Sequence, residues 1–318
     1  MLVYKKNAQA VALTDMLATL ARLASERNYI KPQIHEGNKL KIIAGRHPVV
    51  EEIESAGTFV PNDTELDNKQ DQVMILTGPN MSGKSTYIRQ VALITLLAQI
   101  GSFVPASEAK IGVVDRIFTR VGASDSLVRG QSTFMVEMQE AANILNSATD
   151  KSLVIFDEVG RGTSTFDGIS IAWSMVEHMH NKIKAKTLFA THYHELLELE
   201  KLFTRVKNYN VAVKENKQEV SFLYKIIPGG TNRSYGIYVG KLAGLPKPVS
   251  SRAEQVLKKL DAGEKLFEKE IHKTKISEKQ GSLFTEKGSQ VEKELSKLDI
   301  NNLTPIEALE KLNELKKI

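Results

Sequence analysis

Apolar residues recur at helical spacing between Ala8 and Arg27, where Val11, Leu13, Met16, Leu17, Leu20 and Leu23 predict one amphipathic helix. It ends before Asn28-Tyr29 and Lys31-Pro32. A lone helix cannot bury such a stripe, so this one needs a neighbouring domain or a partner. A short strand is expected over Leu40–Ala44, followed by a loop carrying Arg46-His47-Pro48. From Gln72 to Thr191 the period switches repeatedly. Strands are predicted at 72–77, 113–121, 152–156 and 187–190, with helices at 84–99, 132–147 and 167–182 between them. This alternation implies an α/β fold with a mostly parallel central sheet and helices on both faces. The run Leu153-Val154-Ile155-Phe156 is apolar throughout, as expected of a strand covered on both sides.

Past Glu200 the pattern changes. Val206–Val213 and Val220–Ile226 predict two strands of a hairpin joined by polar Lys214-Glu215-Asn216-Lys217. Residues 233–245 are glycine-punctuated and partly helical, and a charged helix is expected from Ser251 to about Glu270. Residues 271–298 are rich in Lys, Glu, Ser and Gln and predict a solvated linker. Thr304-Pro305-Ile306-Glu307 is a capping box with proline at the first helical position, and Ile306, Leu309, Leu312 and Leu315 follow on one face. The expected organisation is 1–34 as a helical segment, 35–232 as the α/β domain, 233–262 as a partly helical segment, 263–298 as the linker and 299–318 as a C-terminal helix. The bland reading of that last helix is a solvent-facing one, but its apolar face favours an oligomer contact.

Composition narrows this little. The 318 residues are 42% hydrophobic and 25% charged, ordinary for a globular protein. There is no cysteine, so disulfide frameworks and cysteine-ligated metals are excluded. That fits a reducing cytoplasm, the expected location. No run approaches the length of a membrane span, and no membrane partner is expected. A net charge of +5 permits nucleic-acid contact without requiring it.

One motif changes the picture. Gly78-Pro79-Asn80-Met81-Ser82-Gly83-Lys84-Ser85, followed by Thr86, matches G-x-x-x-x-G-K-[ST] and sits between a predicted strand and a predicted helix. A triphosphate needs several backbone N–H groups aimed at one point, and glycines let the chain approach that closely. The helix N-terminus adds a favourable dipole. Lys84 would reach the β- and γ-phosphates and Ser85 would ligate Mg²⁺. Asp157 and Glu158 end a buried strand, where the aspartate would hold Mg²⁺ and the glutamate would polarise the attacking water. Such a pair in isolation is an ordinary solvated strand end; in a P-loop chain the catalytic reading prevails. Two carboxylates beside a triphosphate also make the cation a requirement. Ser132, before a helical run, reads by itself as an N-cap.

Taken together, several segments resemble the ATPase domain of the MutS family of DNA mismatch repair proteins. They are the P-loop, Ser132–Met138, Phe156–Ser164, Phe189–Leu196, Gly45–Glu51, Ser234–Ile237, Ala243–Pro246 and Leu303–Leu309. The resemblance implies an ABC-type P-loop NTPase binding ATP or ADP with Mg²⁺, two sites at a homodimer interface, a tetramer contact through the C-terminal helix and a MutL-type partner. It implies that Ser132 reaches the γ-phosphate held by the other subunit, that Asp167 approaches the opposite site and that His192 senses the γ-phosphate. Phe59 matches the residue that stacks on adenine, against the plainer reading of a core or loop phenylalanine. His47 is either near the nucleotide or a loop residue. His194 lies two residues from His192 and no H-E-x-x-H is present, so a zinc site is rejected.

The chain departs from the family pattern at Ser82, where many members carry glycine, a mild change. The family's mismatch-reading domain is absent, as are the connector and most of the lever and clamp, so contact with mismatched double-stranded DNA is expected through domains outside this chain. The helix at 8–27 matches the end of the lever. Two other readings remain. One is a nucleotide-gated dimerisation module with negligible turnover of its own. The other is a related ABC-superfamily DNA-maintenance or transport ATPase, although the transporter Leu-Ser-Gly-Gly signature is absent. A P-loop small-molecule kinase is weaker still, since no arginine-rich lid is evident. Residues 234–260 resemble the family's helix-turn-helix, which implies a dimerisation segment packed on the partner's ATPase domain, and Ile237, Val239, Leu242 and Leu245 favour protein packing over DNA contact.

Overall fold

A computed structural model describes residues 2–53, 58–122, 132–215, 220–231, 235–261, 304, 306, 307, 309, 310 and 313. The helix expected at 8–27 starts earlier, as α1 (Leu2–Glu26), and its apolar side chains Val11, Leu13, Met16 and Leu17 lie exposed. The order then runs β1 (Gln33–His35), β2 (Leu40–Gly45), α2 (Val50–Ile53), β3 (Asn62–Leu66), β4 (Val73–Thr77), α3 (Lys84–Gln99), β5 (Glu108–Gly112) and β6 (Ile117–Arg120). It continues through α4 (Thr133–Ser147), β7 (Leu153–Asp157), α5 (Thr165–His178), β8 (Lys186–Ala190), α6 (Leu199–Leu202), β9 (Val206–Glu215), β10 (Val220–Pro228), α7 (Gly236–Leu242) and α8 (Lys247–Asp261).

A six-stranded sheet in the order β10-β9-β4-β8-β7-β6 forms the centre, parallel except for the β9–β10 hairpin. The expected α/β class is borne out. Alternate residues of its strands feed two cores. Met74, Leu76, Leu153, Ile155 and Leu188 pack with Ile88, Val91 and Ile94 of α3, whereas Val73, Ile75, Val154, Phe156 and Phe189 pack with Ala141 and Ile144 of α4 and Met175 and Val176 of α5. Coverage on both faces explains why β4, β7 and β8 are buried at every position.

A second sheet, β1-β5-β2-β3, lies beyond α3 and contributes Leu40, Ile42, Leu66 and Ile111 to the first core. The sequence reading found β2 alone. The single strand expected at 113–121 shortens to β6, and residues 113–116 form the connection from β5; Gln99 holds that connection by accepting the Val114 N–H and donating to the Val114 carbonyl. The helix expected at 167–182 ends at His178 and continues as a π turn over Met179–Ile183.

The chain divides into two compact units, Met1–Ser251 and Arg252–Ile318. Within the first, α7 is tied to the hairpin by the Tyr235 hydroxyl donating to Glu215 and the Tyr238 hydroxyl to the Val220 carbonyl. Within the second, the capping box forms: Thr304 N–H donates to Glu307 Oε2 at 2.9 Å, and the Thr304 hydroxyl to the same oxygen at 2.6 Å. Ile306 and Leu309 are exposed. Leu312, Leu315 and the linker expected at 271–298 lie outside the described residues.

Candidate functional site

The carboxyl ends of β4, β7 and β8 lie side by side, with Leu76 and Asp157 both in register with Ala190. Three segments distant in sequence therefore emerge at one edge of the sheet. From β4 comes Gly78–Ser85, from β7 Glu158–Ser164, and from β8 Thr191–Tyr193.

The P-loop needs left-handed backbone at three points, Gly78 (φ 144°), Met81 (φ 64°) and Gly83 (φ 95°). Glycine removes the strain at the first and third, and Met81 bears it at the second. Pro79 to Thr86 and Glu158 line a cradle of about 180 Å³. Lys84, 3% exposed, stands at the first position of α3 and donates from Nζ to the Gly78 carbonyl at 2.7 Å and the Pro79 carbonyl at 2.9 Å. Ser82 is buried and donates its hydroxyl to the Pro79 carbonyl, so the departure from glycine adds a bond inside the loop. Burial pushes the Lys84 pKa down to about 8, with Arg161 adding to the shift and Glu158 and Asp157 opposing it. Phosphate binding favours the ammonium form, so affinity should fall as pH rises above that value. We expect ADP to bind about tenfold more weakly at pH 9 than at pH 7. Titration of a fluorescent ADP analogue checks this, and equal affinity at both pH values, or the same decline in Lys84→Arg, would rule it out.

Asp157 and Glu158 face different partners. Ser85 Oγ donates to Asp157 Oδ1 at 3.0 Å, and Arg89 Nη2 lies 3.3 Å from Asp157 Oδ2. Glu158 adopts a left-handed conformation (φ 58°), and its N–H donates to the Ala190 carbonyl. That turn sends its carboxylate to His192 Nε2, to Arg161 and, at 3.9 Å, to Lys84. Burial raises the Glu158 pKa, but the His192 hydrogen bond and the charges of His192, Arg161 and Lys84 outweigh it, holding the carboxyl below its usual range. Glu158 is therefore ionised at neutral pH.

These residues fit a Mg²⁺–nucleotide on chemical grounds. A buried ammonium and a helix start face the cradle, and a hydroxyl bonded to a carboxylate offers two hard oxygen ligands. Among the described residues, no group of three His, Asp or Glu side chains is placed to hold a metal.

Phe59 lines a cleft of about 430 Å³ beside the cradle, with Val50, Val60, Met81, Thr86 and Tyr224. Tyr224 (φ 53°) is fixed there by Asn62, whose Nδ2 donates to its carbonyl at 2.9 Å. His47 turns out to serve its own loop: Nδ1 accepts from the Val49 and Val50 N–H groups. Ser132 caps α4, accepting from the Met135 N–H at 3.1 Å, and does not line the P-loop cradle. Asp167 accepts the Ser164 hydroxyl at the start of α5. Sequence reasoning passed over Arg89, Arg120, Glu137, Arg161 and Tyr193, which gather around the Glu158 turn. For Glu137 a signal existed: it shares the buried stripe of α4 with Ala141 and Ile144, an unusual place for a carboxylate.

A P-loop at the centre of a parallel sheet, with Ser85 on Asp157 and Glu158 on His192 beside it, defines an ABC-type P-loop nucleotide-binding domain. Residues 74–261 match the family model described as MutS domain V, and residues 285–318 match the DNA mismatch repair protein MutS C-terminal region. The chain belongs to the MutS family. It is 54% identical to the DNA mismatch repair protein MutS of Caldicellulosiruptor bescii over 98% of its own length and 37% of that protein. It is also 54% identical to the protein of that name from Bacteroides fragilis (98% and 38%) and 51% identical to that from Methanosarcina mazei (99% and 37%). The chain thus spans well under half the length of these relatives.

Proposed function

We propose that this chain binds and hydrolyses ATP with Mg²⁺ at a composite site between two subunits, and that the cycle switches a mismatch-repair DNA clamp built by domains outside it. The observation that carries this reading is the convergence of Lys84, Ser85, Asp157, Glu158 and His192 on one cradle. Lys84 would leave the loop carbonyls for the β- and γ-phosphates, and Ser85 and Asp157 would hold Mg²⁺ directly or through its water. Mg²⁺ supplies charge neutralisation at the phosphates. Glu158, ionised and oriented by His192, would align a water for in-line attack. Phe59 would stack on the base.

The dimer part of the proposal rests on Ser132. Its α4 N-terminus lies exposed, as do Met135 of α4 and, 84% exposed, Phe166 of α5. A face with an exposed helix start and large apolar side chains suits a second copy presenting its nucleotide. Leu242, Leu245 and Val249, exposed along α7, the following turn and the start of α8, suit further packing against that copy. Partners proposed from the family are mismatched duplex DNA and a MutL-type protein, in the cytoplasm; among the described residues no helix is long and apolar enough to cross a membrane.

The test is turnover per subunit against protein concentration, with mass followed by sedimentation. We expect turnover to climb as dimers form. A flat, near-zero rate with intact nucleotide binding would favour the other reading, a nucleotide-gated dimerisation module. A chain ending at residue 298 should lose any species above the dimer; unchanged mass would remove the tetramer contact.

A further inference from the structure

Both backbone polar groups of Gly160, two residues after Glu158, are held by side chains from other elements. Its N–H donates to Glu137 Oε1 of α4 at 2.6 Å, and its carbonyl accepts from the Tyr193 hydroxyl at 2.8 Å. Glu137 is 5% exposed and Arg120, at the end of β6, 4%. Arg120 Nη2 lies 3.4 Å from Glu137 Oε2 and Nε 3.1 Å from Glu140 Oε2, so the arginine steadies the carboxylate that grips Gly160. The turn is also sterically tight at Gly160 itself. Gly160 has φ 94°, and a Cβ there would meet the Gly168 carbonyl at 2.9 Å.

A buried ion pair also needs its carboxylate's remaining lone pairs satisfied. Here the carboxylate spends one oxygen on Arg120 and the other on the peptide leading into Gly160. The grip also joins elements that carry other parts of the site. Glu137 lies five residues along from Ser132, and Tyr193 directly follows His192.

We infer that Glu137 and Tyr193 are positioning residues for hydrolysis. Between them they fix the Glu158–Arg161 turn, so that the Glu158 carboxylate faces the cradle and keeps its bond to His192. Neither lines the P-loop cradle. Their effect is on where Glu158 stands, and through Glu137 that position follows the N-terminal end of α4. Because a general base displaced by about an ångström loses one to two orders of magnitude in rate, the effect should fall on kcat. This inference rests on the proposed ATPase reading.

The experiment compares Glu137→Gln, Glu137→Ala and Tyr193→Phe in the full chain, with Glu158→Gln as reference. Glutamine retains an oxygen that can accept the Gly160 N–H; alanine does not. We expect Tyr193→Phe and Glu137→Ala to lower kcat at least about tenfold while ATP KM and ADP affinity stay within about twofold. Glu137→Gln should recover a substantial part of the loss. Equal kcat in all variants, or parallel loss of nucleotide affinity and thermal stability without rescue by glutamine, would overturn the inference. A wild-type chain without turnover that Glu158→Gln removes would instead sink the ATPase reading. The grip is then read from amide exchange at 158–162, where unchanged protection in Glu137→Ala would overturn it.

Discussion

Replacing Glu158 by glutamine should lower steady-state ATP turnover by about two to three orders of magnitude while leaving nucleotide binding within a few-fold of wild type. The size of the effect follows from what the carboxylate does. Glutamine fills the same space and can still accept from His192, so the left-handed turn that places residue 158 should survive. What disappears is the negative charge, which draws on Arg161 and Lys84 and would polarise a water. The depressed pKa sharpens the expectation. A carboxylate kept ionised by its neighbours makes no proton-dependent contribution between about pH 6 and 8, so turnover should be flat there as far as Glu158 is concerned. Binding should persist because the cradle is built from backbone and from Lys84, whose nearest acceptors are the Gly78 and Pro79 carbonyls. Turnover within about threefold of wild type, with binding intact, would remove Glu158 from the chemistry.

Gly168→Ala should destabilise the domain by about 2 kcal/mol, despite the general rule for helices. Alanine exceeds glycine in helix propensity by about 1 kcal/mol, and Gly168 lies in the first turn of α5. Sterics reverse the sign. A Cβ at 168 would stand 2.2 Å from the Tyr193 hydroxyl and 2.4 Å from the Gly160 carbonyl. The tyrosine could swing away, but the carbonyl belongs to the turn that Glu137 also holds, so backbone has to move. Relief of that clash separates Tyr193 from Gly160, and turnover should fall along with stability. Thermal unfolding checks the first part; a melting temperature at or above wild type would show that the turn yields freely.

Much of this arrangement is legible from the chain because its strongest signals are local. The P-loop, the boundaries of α3 and the buried run of β7 follow from spacing and residue type within about twenty positions. The smaller sheet was less legible for a physical reason. β3 reads Asn-Asp-Thr-Glu-Leu, yet Asn62 and Thr64 are buried because Asn62 bonds the Tyr224 carbonyl and the Ile226 N–H, and Thr64 bonds the Tyr87 hydroxyl. A polar residue buried by partners 23 to 164 positions away leaves no trace in a hydrophobic pattern. Tyr193 was missed for the same cause, since it matters through Gly160, 33 positions away.

The strand order carries a kinetic consequence. β4 bears the P-loop, yet it pairs with β8 and β9, and Val73 meets Thr187 on one side and Val206 on the other. Closing loops of that length is slow compared with forming α3, because chain entropy is lost before any pairing rewards it. Early in refolding the loop and its helix are already adjacent in sequence, but Asp157, Glu158 and His192 are not yet beside them. On this ordering, helical signal returns first, and the proposed Mg²⁺-dependent nucleotide binding should return last.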